Sequence, residues 1–154
     1  MMKIRAYLQQ EATAKKVHYT ANEVILSQNE LAREMYFIDS GRVKIQRRVP
    51  ELESEIEVAT LGPDDFFGVL GIMMGKPRTA DVVAVTDCTV WSMDEKSFKE
   101  AISKSPEFAL LIVEGLCRRL ASVNKRTEET MAQFKEFTRR LEEVSLLWHS
   151  FVPY

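Results

Sequence analysis

A mainly β domain followed by one long helix is predicted from three features of this 154-residue sequence. Short apolar segments separated by turn residues recur from Val17 to Met93, without long helices between them, which argues for an antiparallel sandwich or barrel. A glycine-centred stretch at residues 64–80, D-D-F-F-G-V-L-G-I-M-M-G-K-P-R-T-A, sits inside that region. Beyond Ser105, apolar residues repeat at alternating four- and three-residue steps almost to the end, the pattern of a helical seam.

In order along the chain, Ile4, Tyr7 and Leu8 lie at helical spacing and predict a short amphipathic helix in residues 1–16, covering one end of the domain. Segments 24–26, 35–38, 43–46 and 56–59 read as strands, and 81–86 and 89–93 as two more. Ser40-Gly41 and Gly62-Pro63-Asp64 both read as tight hairpin turns. Residues 49–54 contain Pro50 and acidic side chains and read as an exposed hairpin loop. Asp94 is placed to cap a helix running through Ile102. Ser105-Pro106-Glu107 supplies a hydroxyl cap, a first-turn proline and an acid near the positive end of the dipole.

The seam then runs through Leu116, Leu120, Val123, Thr127, Thr130, Phe134, Phe137, Leu141, Val144, Trp148 and Phe151, with Thr127 and Thr130 weakening its middle. So long a stripe on a small domain predicts a parallel helix pair across a homodimer. The alternative is a helix folded back on its own barrel. Basic and acidic residues occur in equal number from Glu107 to Phe151, so the helix is not a basic DNA-binding region. The expected division is residues 1–106 for the β domain and 107–154 for the dimerisation helix.

Composition narrows the class. A content of 45% hydrophobic and 29% charged residues is that of a soluble globular domain, and the net charge of -2 gives no general attraction to nucleic acid or anionic membrane. Neither a signal peptide nor a spanning apolar run is expected, which places the protein in the cytoplasm. Cys88 and Cys117 are too few and too far apart for a zinc or iron–sulfur set, and both read as packing residues. His18 and His149 are the only histidines and are widely separated, so no metal cofactor and no metalloenzyme are expected.

Within residues 64–80, Gly68 allows backbone N–H groups to approach a ligand. A short helix over residues 70–74 would point its first N–H groups at an anion beside Gly68. Arg78 adds a planar, two-pronged donor for the same phosphate, and Thr79 a hydroxyl. Leu70, Ile72, Met73 and Met74 read as core and pocket wall.

This stretch resembles the phosphate-binding cassette of cyclic-nucleotide-binding domains, F-G-E-[apolar]-[small]-L…R-[TSA]-A. The likeness extends to M-Y-F-I-D-S-G-R-V at 35–43, V-A-T-L-G-P-D-D-F-F at 58–67 and D-C-T-V-W at 87–91, and covers roughly residues 17–120. It implies an antiparallel jelly-roll barrel, akin to the cupins, and a dimer helix of the catabolite-activator type. It also implies a ligand site at Phe67, Gly68, Val69, Leu70, Arg78, Thr79 and Ala80, with Val123 and Asn124 of the dimer helix at the base. Val69 departs from the family pattern: it stands where a glutamate usually accepts the ribose 2′-hydroxyl, a bond of about 1.5–3 kcal/mol. The implied function is a sensor, not an enzyme. It would bind cAMP, cGMP or a related small anion and signal through its dimer helix to a protein partner. In the transcription regulators of this type a helix-turn-helix domain follows the dimer helix. Almost no chain follows it here, so direct DNA binding is not expected. The alternatives are a ligand-independent dimerisation or adaptor module and a truncated transcription regulator.

Overall fold

The computed structural model describes residues 4–10 and 13–151, and the backbone alone at Leu52 and residues 148–151. The expected seam positions Trp148 and Phe151, and His149, therefore have side chains outside the described residues. Two compact units are distinguished, Met1–Ile112 and Val113–Tyr154.

Eight antiparallel strands form two four-stranded sheets in the first unit. One sheet has the order β1 (Lys15–Tyr19), β8 (Cys88–Asp94), β3 (Glu34–Ser40), β6 (Phe66–Phe67). The other has the order β2 (Val24–Leu26), β7 (Asp81–Ala84), β4 (Val43–Val49), β5 (Ser54–Leu61). Every link between consecutive strands crosses from one sheet to the other except β4 to β5. That alternation makes the jelly roll.

The topology corrects two expectations. Ser40-Gly41 does not close a hairpin, because β3 and β4 lie in different sheets; it turns the chain through a corner between them. Gly62-Pro63-Asp64 does the same between β5 and β6. Gly41 has φ +84°, and a Cβ there would lie 2.4 Å from the Asp87 carbonyl oxygen, so the corner needs glycine on two counts. The true hairpin is β4–β5, closed by a 3₁₀ turn at Pro50–Leu52 where the exposed loop was expected. Strands β1 and β6 were not anticipated, and β1 starts at Lys15, inside the region assigned to the first helix.

Strand alternation sorts side chains into two cores. Between the sheets pack Tyr36, Ile38, Val43, Leu61, Phe67, Val82 and Val90, among others. On the opposite face of the first sheet, Met35, Phe37, Phe66 and Met93 meet the helices. There α1 (Ile4–Gln10) buries Ile4 and Leu8, α3 (Glu95–Lys104) buries Phe98 and Ala101, and the first turns of α4 (Pro106–Phe151) bury Phe108 and Ile112. Tyr7 stacks on Phe108 at 4.4 Å between ring centroids. Buried Asp39 holds Arg5 at 3.0 Å and Lys16 at 3.2 Å, tying α1 and β1 to β3. Cys88 is buried between the sheets, whereas Cys117 is exposed and so is not a packing residue in the described chain.

The helix starts form as their sequences indicate. Asp94 caps α3, its Oδ1 accepting from the Ser97 backbone N–H at 2.8 Å. Ser105 Oγ accepts from the Phe108 N–H at 3.2 Å at the start of α4. The Ser97 hydrogen bond holds the Asp94 carboxyl below its ordinary value of 3.8. The cap therefore contributes fully above that value and is lost as pH falls through the lower folded value. Asp94→Ala is expected to cost about 1 kcal/mol at neutral pH. Parallel melts of both proteins at neutral pH and near pH 3 should show the difference shrinking in acid.

In the second unit α4 continues unbroken through Gly115 to Phe151. Its seam is open to solvent: Phe134 is 68% exposed, Phe137 58%, Leu141 53% and Val144 62%. Thr127 and Thr130 return their hydroxyls to the carbonyls of Val123 and Arg126. Beside the seam Glu136 pairs with Arg139 and Arg140, and Arg139 with Glu143. No helix among the described residues is long and apolar enough to cross a membrane.

Candidate ligand-binding site

The cassette begins where β6 ends. Phe66 and Phe67 point to opposite faces, Phe66 into the helix-side core and Phe67 between the sheets, where it stacks on Tyr36 at 5.1 Å. Gly68 follows with φ +86° and starts α2 (Val69–Met74), one residue earlier than the expected 70–74. A Cβ on Gly68 would come within 2.9 Å of Arg78 Nη1 and 3.1 Å of the Glu34 carbonyl oxygen, so the arginine and β3 crowd directly against this backbone. The next residue, Val69, is 4% exposed and belongs to the helix-side core with Phe37 and Ile72. Its side chain fills that core.

Beyond α2 the chain returns through residues 75–80 to β7, and the loop before β3 fixes its path. The Arg78 backbone N–H donates to the Glu30 carbonyl at 2.8 Å, and the Asn29 N–H to the Arg78 carbonyl at 2.8 Å. Asp81 accepts from the Gln28 N–H at 2.6 Å and pairs with Arg48 at 3.2 Å. With its backbone so held, Arg78 directs its side chain inward and is only 6% exposed. Nη1 donates to the Gly68 carbonyl at 2.8 Å and Nη2 to the Glu34 carbonyl. The buried Nε has no hydrogen-bond partner. Burial pulls the Arg78 pKa below the usual arginine value, opposed by Tyr36, Glu34 and Glu30 nearby.

Two residues that sequence reasoning did not select complete this cluster. Glu34 and Tyr36 share a face of β3, and the Tyr36 hydroxyl donates to Glu34 Oε2 at 3.0 Å. Burial first, then the Glu34 charge, raise the tyrosine pKa well above its ordinary value. The available signal was an acidic residue two positions before Tyr36 on the alternation that continues to buried Ile38.

The remaining expected residues are distributed as follows. Thr79 is exposed and Ala80 half-buried, in the loop just before β7. Leu70, Met73 and Met74 are 57%, 51% and 57% exposed, so of the expected core and wall residues in α2 only Ile72 is buried. Val123 and Asn124 lie in the second unit, both exposed on α4. No group of three or more His, Cys, Asp or Glu among the described residues is placed to hold a metal ion.

Relatives bear on this arrangement. Residues 16–105 match the cyclic nucleotide-binding domain family. The chain is 32% identical over 108 residues to a CRP-like cAMP-activated global transcriptional regulator of Mycobacterium tuberculosis, covering 70% of this chain and 48% of that one. It is 30% identical over 112 residues to the global nitrogen regulator of a Nostoc species, covering 71% and 50%. It thus spans about half the length of these curated relatives. Among solved structures, the catabolite activator protein of Thermus thermophilus superposes with a TM-score of 0.69 at 24% identity, over 82% of this chain and 57% of that one. The regulatory domain of Toxoplasma gondii PKA, crystallised with cAMP, superposes with a TM-score of 0.60 at 26% identity, over 77% and 43%. With the family pattern spanning both sheets and the whole cassette, this chain belongs to the cyclic nucleotide-binding domain family.

Proposed function

We propose that the protein is a regulatory sensor that binds cAMP or a related cyclic nucleotide at the cassette, and that it is not itself an enzyme. The observation that carries this reading is Arg78: a cation only 6% exposed, whose Nε is buried without a partner beside Gly68. A guanidinium has five N–H groups, and two of them serve the Gly68 and Glu34 carbonyls. Its remaining donors and its charge suit a singly charged phosphodiester. Phe67, Gly68, Val69, Leu70, Thr79 and Ala80 make up the rest of the proposed cassette. Residues 1–106 would hold the ligand; 107–154 would form the dimer helix, where Val123 and Asn124 would meet the base. The open seam on α4 supports a homodimer through which occupancy reaches a protein partner in the cytoplasm.

A second reading has its own observation. Because Arg78 already ties Gly68 to Glu34, the guanidinium can serve as a structural clasp in a ligand-independent dimerisation module. Calorimetric titration with cAMP and then cGMP separates the two. The sensor reading expects saturable binding at one site per chain. At a hundredfold excess over Kd the bound form should be stabilised by about 2.7 kcal/mol and melt at a higher temperature. No heat up to millimolar nucleotide, together with an unchanged melting temperature, would overturn it in favour of the clasp.

A further inference from the structure

We propose that the cavity between α1, β3 and the β5–β6 corner is a second ligand site, for a small neutral polyol, with the Asp39 carboxylate as its acceptor and the Trp91 indole N–H as its donor. It shares no lining residue with the cassette and does not rest on the cyclic-nucleotide reading.

Three buried side-chain polar atoms among the described residues have no hydrogen-bond partner: Arg78 Nε, Asp39 Oδ1 and Trp91 Nε1. The first belongs to the cassette. The other two belong to residues that line one cavity of about 140 Å³. Buried polar atoms are nearly always hydrogen-bonded in folded proteins, so two exceptions in the walls of one cavity point to a ligand there.

The walls are held by contacts from several elements. The Asp39 side chain is 5% exposed, and its Oδ1 lies 3.0 Å from Arg5 Nε, an ion pair that lacks the alignment of a hydrogen bond. Lys16 Nζ sits 3.2 Å from Asp39 Oδ2 and 5.2 Å from the centroid of the Trp91 ring, so one ammonium holds both groups. Trp91 is paired directly with Phe37 across β8 and β3, which sets the indole beside the strand that carries Asp39. At the corner, the Asp64 N–H donates to the Ile38 carbonyl at 3.1 Å and fixes that edge against β3. The donor and the acceptor are thus positioned before a ligand arrives.

Charge and size select the ligand. Around the cavity Arg5 and Lys16 balance Asp39 and Asp64, so a charged ligand would lose its hydration without a free counter-charge. The carboxylate needs a donor and the indole an acceptor, and a hydroxyl offers both. Leu8, Phe37 and Pro63 supply an apolar wall for a carbon skeleton. A cavity of about 150 Å³ accepts a six-carbon ring, so about six heavy atoms fit here. Glycerol has that size, and its hydroxyls are carried on a short carbon chain that can lie against the wall.

The test titrates the full chain with glycerol and, separately, with 1-propanol, which has the same number of carbons and a single hydroxyl. Nuclear magnetic resonance follows the indole N–H and the methyl groups of Leu8 and Ile38, with Trp148→Phe to identify the Trp91 signal. Glycerol should shift the Trp91 signal and both residues' methyls along one saturating curve, and bind at least several-fold tighter than 1-propanol. Trp91→Phe keeps an aromatic wall without the donor. It should weaken glycerol by about two- to tenfold, read from the methyls, the size of one neutral hydrogen bond. Asp39→Asn removes the charge from the acceptor and should weaken it at least as much; if that variant does not fold, Trp91→Phe decides alone. Shifts that grow linearly with glycerol and never saturate would be those of a cosolvent only and would overturn the site. Equal binding of 1-propanol would overturn the polyol as its ligand, and unchanged glycerol binding in Trp91→Phe would overturn the indole as its donor.

Discussion

Arg78→Ala is expected to weaken cyclic-nucleotide binding and to lower the melting temperature at the same time. The two losses have different origins. Truncation leaves the Gly68 and Glu34 carbonyls without their donor, at about 1–3 kcal/mol each when no water replaces it. At roughly 4–8 °C per kcal/mol for a domain of about 100 residues, the melting point should drop by about 10 °C or more. Binding falls because the phosphate loses its cation and charge-assisted donors, each contributing about 1.5–3 kcal/mol, so affinity should weaken by about tenfold to a thousandfold. Arg78→Lys separates the effects. It retains the charge and forfeits the planar fork, so it should keep measurable binding while still lowering stability. Titration and thermal melts on both variants, with circular dichroism to show that each is folded at the titration temperature, read both quantities. A variant with alanine that melts early yet binds cAMP as the wild type does would place the phosphate elsewhere.

The contacts of Arg78 show what could and could not be read from the sequence. The cassette was legible because its chemistry is local. Gly68, the short helix and Arg78 lie within ten positions of each other and are ordered by backbone rules. The partners of Arg78 were not legible, since Glu34 is 44 positions away in sequence and meets the guanidinium through a main-chain oxygen, which no residue type advertises. The cap of α3 at Asp94 and the start of α4 at Ser105 were legible for the same local reason. The Ser40-Gly41 corner was misread as a hairpin because a glycine turn specifies a reversal of the chain, not which sheet receives the next strand. Strand β6 has two residues, too few to show any period, and its residues enter opposite cores. Val69 is apolar where the family pattern has an acid. The sequence shows that an acceptor is lost at that position; only the fold shows the Val69 side chain packed into the helix-side core.

Leu141→Glu is expected to separate the proposed homodimer into monomers. Leu141 is 53% exposed on a seam whose neighbours Phe134, Phe137 and Val144 are all more than half exposed. Burying such a side chain contributes about 1.5–3 kcal/mol. A homodimer carries the change twice, so the loss is about 3–6 kcal/mol, or roughly a hundredfold to ten-thousandfold in the dimer dissociation constant. In a parallel, in-register pair the two introduced carboxylates also face each other, which adds repulsion. The seam is flanked by ion pairs within its own helix, Glu136 with Arg139 and Arg140 and Arg139 with Glu143. Those contribute little each, so helix stability in this region depends on the apolar contact. Separated chains should therefore lose helical signal as well as mass, because a lone amphipathic helix in water is marginal. Sedimentation of the wild type, Leu141→Glu and the off-seam control Glu142→Gln, with circular dichroism on the same samples, checks both effects. The control should remain dimeric. A wild-type chain that sediments as a monomer at high micromolar concentration would sink the dimer, and signalling through a paired helix with it.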